Sequence, residues 1–205
     1  MQWRIALTMM SGYFVYSFFV PVLFKFQGPV IAGQMGMTWA IIIAIGNLSS
    51  AWFTPKIPQL CMLVAGQQYK ELDRLFFHNT MITLILLILG SLSFWVGIYL
   101  INKMDLSIAS RLLPPLPAGI FLLANAVGFA SSPFSYYMRA HKQEPIVLVT
   151  LVSSLLIGAS TFITGKYYSI NLMVVSYLII NIGMTISIVL IWYYYRSKWH
   201  KSENL

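Results

Sequence analysis

Charge is what this sequence has least of. Lys, Arg, Asp and Glu make up 9% of its 205 residues, where ordinary soluble domains carry roughly 25%, so the chain cannot clothe itself in a water-soluble surface. Acids are the scarcest: five Asp and Glu stand against 13 Lys and Arg, a formal charge of +8. Cysteine occurs once, at Cys61, which excludes an internal disulfide and a multi-thiolate metal site. The three histidines, His78, His141 and His200, lie far apart in predicted loops. The acids Glu71, Asp73, Asp105, Glu144 and Glu203 are also expected in loops or the tail, with none inside an apolar run. No paired carboxylates, nucleophile with a base, metal-ligand spacing or glycine-rich phosphate loop is present. The expectation is therefore a protein that is not an enzyme, with no catalytic residues, metal or cofactor. The excess of Lys and Arg is scattered between apolar runs, which fits lipid phosphates and membrane orientation rather than nucleic acid.

What the chain has in quantity is hydrophobic length. Hydrophobic residues make up 59% of it and the mean hydropathy is +0.76. A helix needs about 20 apolar residues to cross the hydrocarbon of a bilayer. Six segments meet that length: residues 5–24, 29–53, 80–101, 112–138, 145–164 and 172–195. The predicted fold class is all-α and integral to the membrane, a bundle of about six transmembrane helices forming one domain over residues 1–205. The start, Met1-Gln2-Trp3-Arg4, has no small-residue cleavage pattern behind it and reads as a retained first helix.

Local signals refine the spans. Gly28-Pro29 joins the first two through a tight turn and makes them an antiparallel pair. Pro114, Pro115 and Pro117 crowd the start of the fourth, so its helix is expected to begin near Pro117 and to bend at Ser131-Ser132-Pro133. Residues 54–78 form the longest polar connection. Tyr69, Leu72, Leu75 and Phe76 recur there at helical spacing, which fits either a short helix on the membrane surface or a solvated connector. With six crossings, nine of the 13 basic residues fall on one side (Arg4, Lys56, Lys70, Arg74, Arg139, Lys142, Arg196, Lys198 and Lys201), which puts both termini in the cytoplasm.

Within the spans the chemistry is uncharged. Gln34, Asn47, Asn125 and Asn181 are amides in apolar helices, each needing an interhelical partner or a watery cavity. Lys25 and Lys56 follow the first two spans, where they either snorkel outward or turn into a cavity.

Several stretches resemble a known family: Gln2-Trp3-Arg4-Ile5-Ala6-Leu7, Ser11-Gly12-Tyr13-Phe14, Gly28-Pro29-Val30-Ile31-Ala32-Gly33-Gln34-Met35-Gly36-Met37, Ala51-Trp52 with Lys56-Ile57-Pro58, and Leu72-Asp73-Arg74-Leu75-Phe76. They are similar to bacterial polysaccharide-biosynthesis membrane proteins, the O-antigen-type flippases of the multidrug, oligosaccharidyl-lipid and polysaccharide exporter superfamily. The resemblance runs from Gln2 to about Phe77; later helices match in hydropathy and spacing. It implies one lobe of a two-lobe exporter, the C-terminal one, working in the cytoplasmic membrane. The implied partners are membrane lipid, a lipid-linked saccharide for surface polysaccharide such as lipopolysaccharide O-antigen, and either a missing N-terminal half or a second copy. By position, Lys25, Gln34, Asn47 and Lys56 are then the candidates for lining the substrate cavity. A drug or metabolite antiporter lobe of the same fold, or a truncated membrane protein that transports nothing, are the alternatives. An embedded carboxylate would favour cation antiport.

Overall fold

The computed structural model describes Gly12 and residues 17–201. Regular structure among them is entirely helical: α1 (Phe19–Gln27), α2 (Pro29–Phe53), α3 (Ile57–Ala65), α4 (Tyr69–Lys103), α5 (Pro115–Ala130), α6 (Ser132–Ala140), α7 (Val147–Tyr167) and α8 (Ile170–Lys201), with tight helical turns at Thr54–Lys56 and Ser107–Arg111. Five stretches are long and apolar enough to span a bilayer: Pro29–Ala65, Tyr69–Lys103, Pro115–Ala140, Val147–Tyr167 and Ile170–His200. The chain is an all-helical, multi-pass membrane protein. The expected span at residues 5–24 lies mostly outside the described residues, and α1 covers its end.

Packing runs in a closed circuit. Each of α2, α4, α5, α8, α7 and α1 packs on the next in that order, and α1 returns to α2. Two cores fill the circuit at different heights. Toward the Gly28 end, one aromatic ring from each of four helices meets: Phe19 of α1, Trp39 of α2, Phe121 of α5 and Tyr177 of α8. Phe19 stands edge-on to Tyr177 and Phe121, with ring centroids 5.1 and 5.6 Å apart, the geometry that the aromatic quadrupole favours. Toward the Asp73 end, Phe53, Leu72, Phe76, Tyr137 and Trp192 form the second core. The outer surface is apolar instead of charged: Leu48, Ile88, Leu155 and Leu190 all lie exposed on it, as helices facing lipid require.

Two breaks follow their expected chemistry. The fourth span breaks at Ser131, between the end of α5 and the start of α6, where Pro133 removes a backbone donor; its helix begins at Pro115, two residues before the expected start. The connection over residues 54–78 differs from both readings. Instead of a surface helix or a solvated connector, α3 continues the direction of α2 through one tight turn, and Tyr69–His78 is the first part of α4, a single helix of 35 residues. Leu72 and Phe76, spaced by one turn, are fully buried in the second core, and this anchorage carries the helix through its polar residues. The last span likewise extends to Lys201, with Trp192 packed in the same core.

Gly28 makes the hairpin between α1 and α2. Its φ of 96° and ψ of 170° belong to a region open to glycine alone, and its N–H donates to the Leu23 carbonyl at 3.0 Å. A Cβ at this position would meet nothing within 4 Å, so the cost of a substitution is conformational rather than steric. Gly28→Ala is expected to destabilise the detergent-solubilised protein by about 1–3 kcal/mol, read as a lower melting temperature. An unchanged melting temperature would show that the hairpin is not held in this conformation.

Candidate functional site

The break at Ser131 opens a polar cleft inside the bundle. It has a volume of about 230 Å³ and is walled by α5, α6, α7 and α8, including Asn125, Ser131, Ser135, Arg139, Thr150 and Asn181. Asn181 lies 11 residues into α8, about 16 Å at about 1.5 Å per residue, roughly half of a 30 Å hydrocarbon layer. The aromatic cluster forms the floor: Tyr177 belongs both to that core and to the cleft wall. The cleft therefore extends toward the Asp73 end and is closed by rings toward the Gly28 end.

Its hydrogen bonds have a common direction. Ser131, Ser135 and Thr150 each donate the hydroxyl proton to a carbonyl of their own chain segment, Gly128, Ser131 and Ile146. Asn125 and Asn181 donate an amide N–H to Phe121 and Tyr177 carbonyls one turn back, at 2.8 and 2.9 Å. Tyr177 donates its O–H to Asn125 Oδ1 at 3.2 Å. The hydroxyls and one N–H of each asparagine are spent locally, while each amide keeps its second N–H and Asn181 its oxygen for a further partner. Asn181 Oδ1 sits so close to α5 that a Cβ on Gly128 would fall 2.6 Å from it, so glycine at that position admits the amide.

One cation stands among these groups. Arg139, with its side chain 41% exposed, pairs through Nε with Glu144 Oε1 at 3.2 Å, while the Glu144 side chain is 5% exposed. Glu144 Oε2 is buried and has no hydrogen-bond partner among the described residues. An arginine forks toward carboxylate or phosphate with several donors, so an anionic group at the mouth would meet Arg139.

A second polar cluster closes the Asp73 end. Asp73 of α4 pairs with Arg196 of α8, and Tyr137 of α6 donates its O–H to Asp73 Oδ1 at 3.1 Å. The same phenolic oxygen lies 3.2 Å from His200 Nε2, and His200 Nδ1 is 3.7 Å from Asp73 Oδ2. His141 stacks on Trp199 with ring centroids 3.8 Å apart. Three elements distant in sequence are thus tied at one point by charge, hydrogen bonds and ring stacking.

The four cavity candidates named from sequence do not come together. Lys25 is exposed at the end of α1, its Nζ 5.5 Å from the Phe26 ring centre. Lys56 is half-buried in the turn after α2, at the opposite end of the bundle. Gln34 donates to the Ser110 carbonyl at 3.0 Å and ties α2 to the α4–α5 connection. Asn47 is exposed on the outer face of α2. None of them lines the cleft. Of the amides noted in the spans, Asn125 and Asn181 do. Arg139 and Glu144 were read as loop residues; the Ser131-Ser132-Pro133 break, read only as a bend, lies beside the cleft they border. Among the described residues no three of His, Cys, Asp and Glu gather as a metal would need. The chain matches no protein-family model, no curated protein and no solved structure.

The Asp73 cluster carries a pH dependence. Burial pushes the His141 imidazole below its usual value, more than the facing Tyr137 carbonyl raises it; His200 lowers it further and Asp73 opposes. A histidine that resists protonation in the fold takes up a proton more readily when unfolded, so its contribution is present above the ordinary value of about 6.5 and is lost as pH falls through the folded value. The melting temperature in detergent is expected to drop between pH 7.5 and 5, and His141→Gln to shrink that drop. A variant that loses stability with acid as steeply as the wild type would contradict this role for His141.

Proposed function

We propose that this bundle is one lobe of a transporter that moves a lipid-linked saccharide across the cytoplasmic membrane for surface-polysaccharide biosynthesis. What supports the reading is the cleft: a wall of amides and hydroxyls within the bundle with one arginine at its mouth. A saccharide is rich in hydroxyl donors, and a phosphate linking it to a lipid is the anion that an arginine fork holds best. A wholly apolar cargo would leave the Asn181 amide oxygen without a partner, at a cost of about 1–3 kcal/mol. The protein works as a carrier and catalyses no covalent step.

In this reading the Asp73 end and both termini are cytoplasmic, following the excess of Lys and Arg on that side. The cleft then receives the headgroup from the cytoplasm, with the aromatic floor closing the other direction. Alternating access in such carriers is commonly the rocking of one bundle against another. A second lobe, or a second copy, is the bundle against which this one would rock.

Export of lipid-linked sugar in cells lacking their own flippase, with the chain expressed beside a second lobe, tests the proposal. Arg139→Gln is expected to lower export about tenfold or more, the worth of a hydrogen bond to a charged group. Because that change strands the buried Glu144, the double variant Arg139→Gln with Glu144→Gln serves as the folded control, and it too should export poorly. Normal export by a well-expressed double variant would remove Arg139 from the cargo site. Full export by Lys25→Ala and Lys56→Ala would remove those two while leaving the lobe assignment intact.

A further inference from the structure

A wide apolar hollow opens on the outer face of the molecule, between α4 and α5. It has a volume of about 610 Å³, and Ile88, Leu92, Trp95 and Tyr99 form one wall while Leu116 and Leu123 stand on the other. The hollow is built in rather than incidental. Trp95 donates its ring N–H to the Pro115 carbonyl at 3.1 Å, and its ring passes so close to Gly119 that a Cβ there would lie 2.6 Å from Nε1. Trp95 also stacks on Tyr99, with ring centroids 6.1 Å apart. The aromatic pair thus lines the upper part of the groove.

We propose that this groove binds one acyl chain of an anionic glycerophospholipid, with its phosphate held by Lys103 and Arg111. Length is the first argument. Ile88 to Tyr99 is 11 residues of one helix, about 16 Å at about 1.5 Å per residue, which matches half of a roughly 30 Å hydrocarbon layer. The groove is one leaflet deep. It accommodates an acyl chain, whereas a long polyprenyl tail would lie mostly outside it.

Charge is the second argument. Lys103 follows Tyr99 by four residues and so stands on the same helix face, one turn beyond the groove. Arg111 closes the turn that leads into α5, whose Pro115 lines the same hollow. Both cations are exposed, and neither is ion-paired among the described residues; Asp105 is the one acid in this connection. The groove opens to the surrounding bilayer and shares no lining residue with the polar cleft. Its occupant therefore comes from bulk lipid, and the inference stands independently of the transport reading.

Mass spectrometry of the protein released from nanodiscs of equal phosphatidylglycerol and phosphatidylcholine tests this. One phosphatidylglycerol should be retained per chain in preference to phosphatidylcholine. Lys103→Gln should cut that preference about fivefold, the effect of one basic residue near a lipid surface, and adding Arg111→Gln should cut it further. Leu123→Trp, which fills the groove from an exposed position, should abolish retention. If that variant does not fold, quenching of Trp95 by phosphatidylglycerol brominated on its acyl chain gives the same answer in the wild-type protein, with Trp95→Phe isolating the signal. Equal retention of both lipids, retention unchanged in folded Leu123→Trp, retention of a polyprenyl phosphate in their place, or absence of Trp95 quenching would each overturn the proposal.

Discussion

Hydrocarbon offers no hydrogen bonds, and everything polar in this chain is arranged around that constraint. Many hydroxyls and amides in the spans turn back onto their own helices: Ser49 to the Ile45 carbonyl, Thr83 to Asn79, Ser154 to Thr150, Thr164 to Ser160. This local solution uses donors and spares acceptors. Where Pro133 breaks the fourth span, hydroxyls and amides line a cleft. The chemistry of the cleft therefore follows from the same rule that allows the helices to lie in a membrane.

The two cores divide the labour. The aromatic cluster of Phe19, Trp39, Phe121 and Tyr177 draws one ring from each of four helices, which holds the Gly28 end shut. The Asp73 end is held by the second core, Phe53, Leu72, Phe76 and Trp192 among it, and by the polar tie of Asp73, Arg196 and Tyr137. A partly buried ion pair of this kind adds less to net stability than well-packed rings, because desolvation of both charges offsets much of the attraction. What it does give is registration, since losing one partner strands the other. The cleft lies between the aromatic floor and this polar tie.

Much of the fold was legible because the spans are long. The hairpin at Gly28, the apolar stretch over residues 80–101 and the break at Ser131-Ser132-Pro133 all rest on local chemistry, and each is found where the residues put it. The extra length of α4 was not legible. Its polar first turns are held by Leu72 and Phe76 packing on Tyr137 and Trp192, contacts that span most of the chain. The acids show the same limit: Asp73 meets Arg196 across 123 positions, and no local pattern announces such a pair. Lys25, Gln34, Asn47 and Lys56 were singled out by their position on or beside the first two spans. The cleft is made by the last four helices, and its lining depends on which helix faces turn inward, something hydropathy alone does not specify.

The central claim is that a water-accessible polar cleft enters the bundle from the Asp73 end and stops at the aromatic floor. Single cysteines placed in a Cys61→Ser background and treated with a membrane-impermeant maleimide from each side test it most directly. Ser135→Cys and Met184→Cys, both in the cleft wall, should react from the Asp73 side and not from the Gly28 side. Ile186→Cys, at nearly the same depth on α8 but on the exposed outer face, should react from neither. Cleft cysteines that stay unreactive from both sides, or that react from the Gly28 side, would contradict the account.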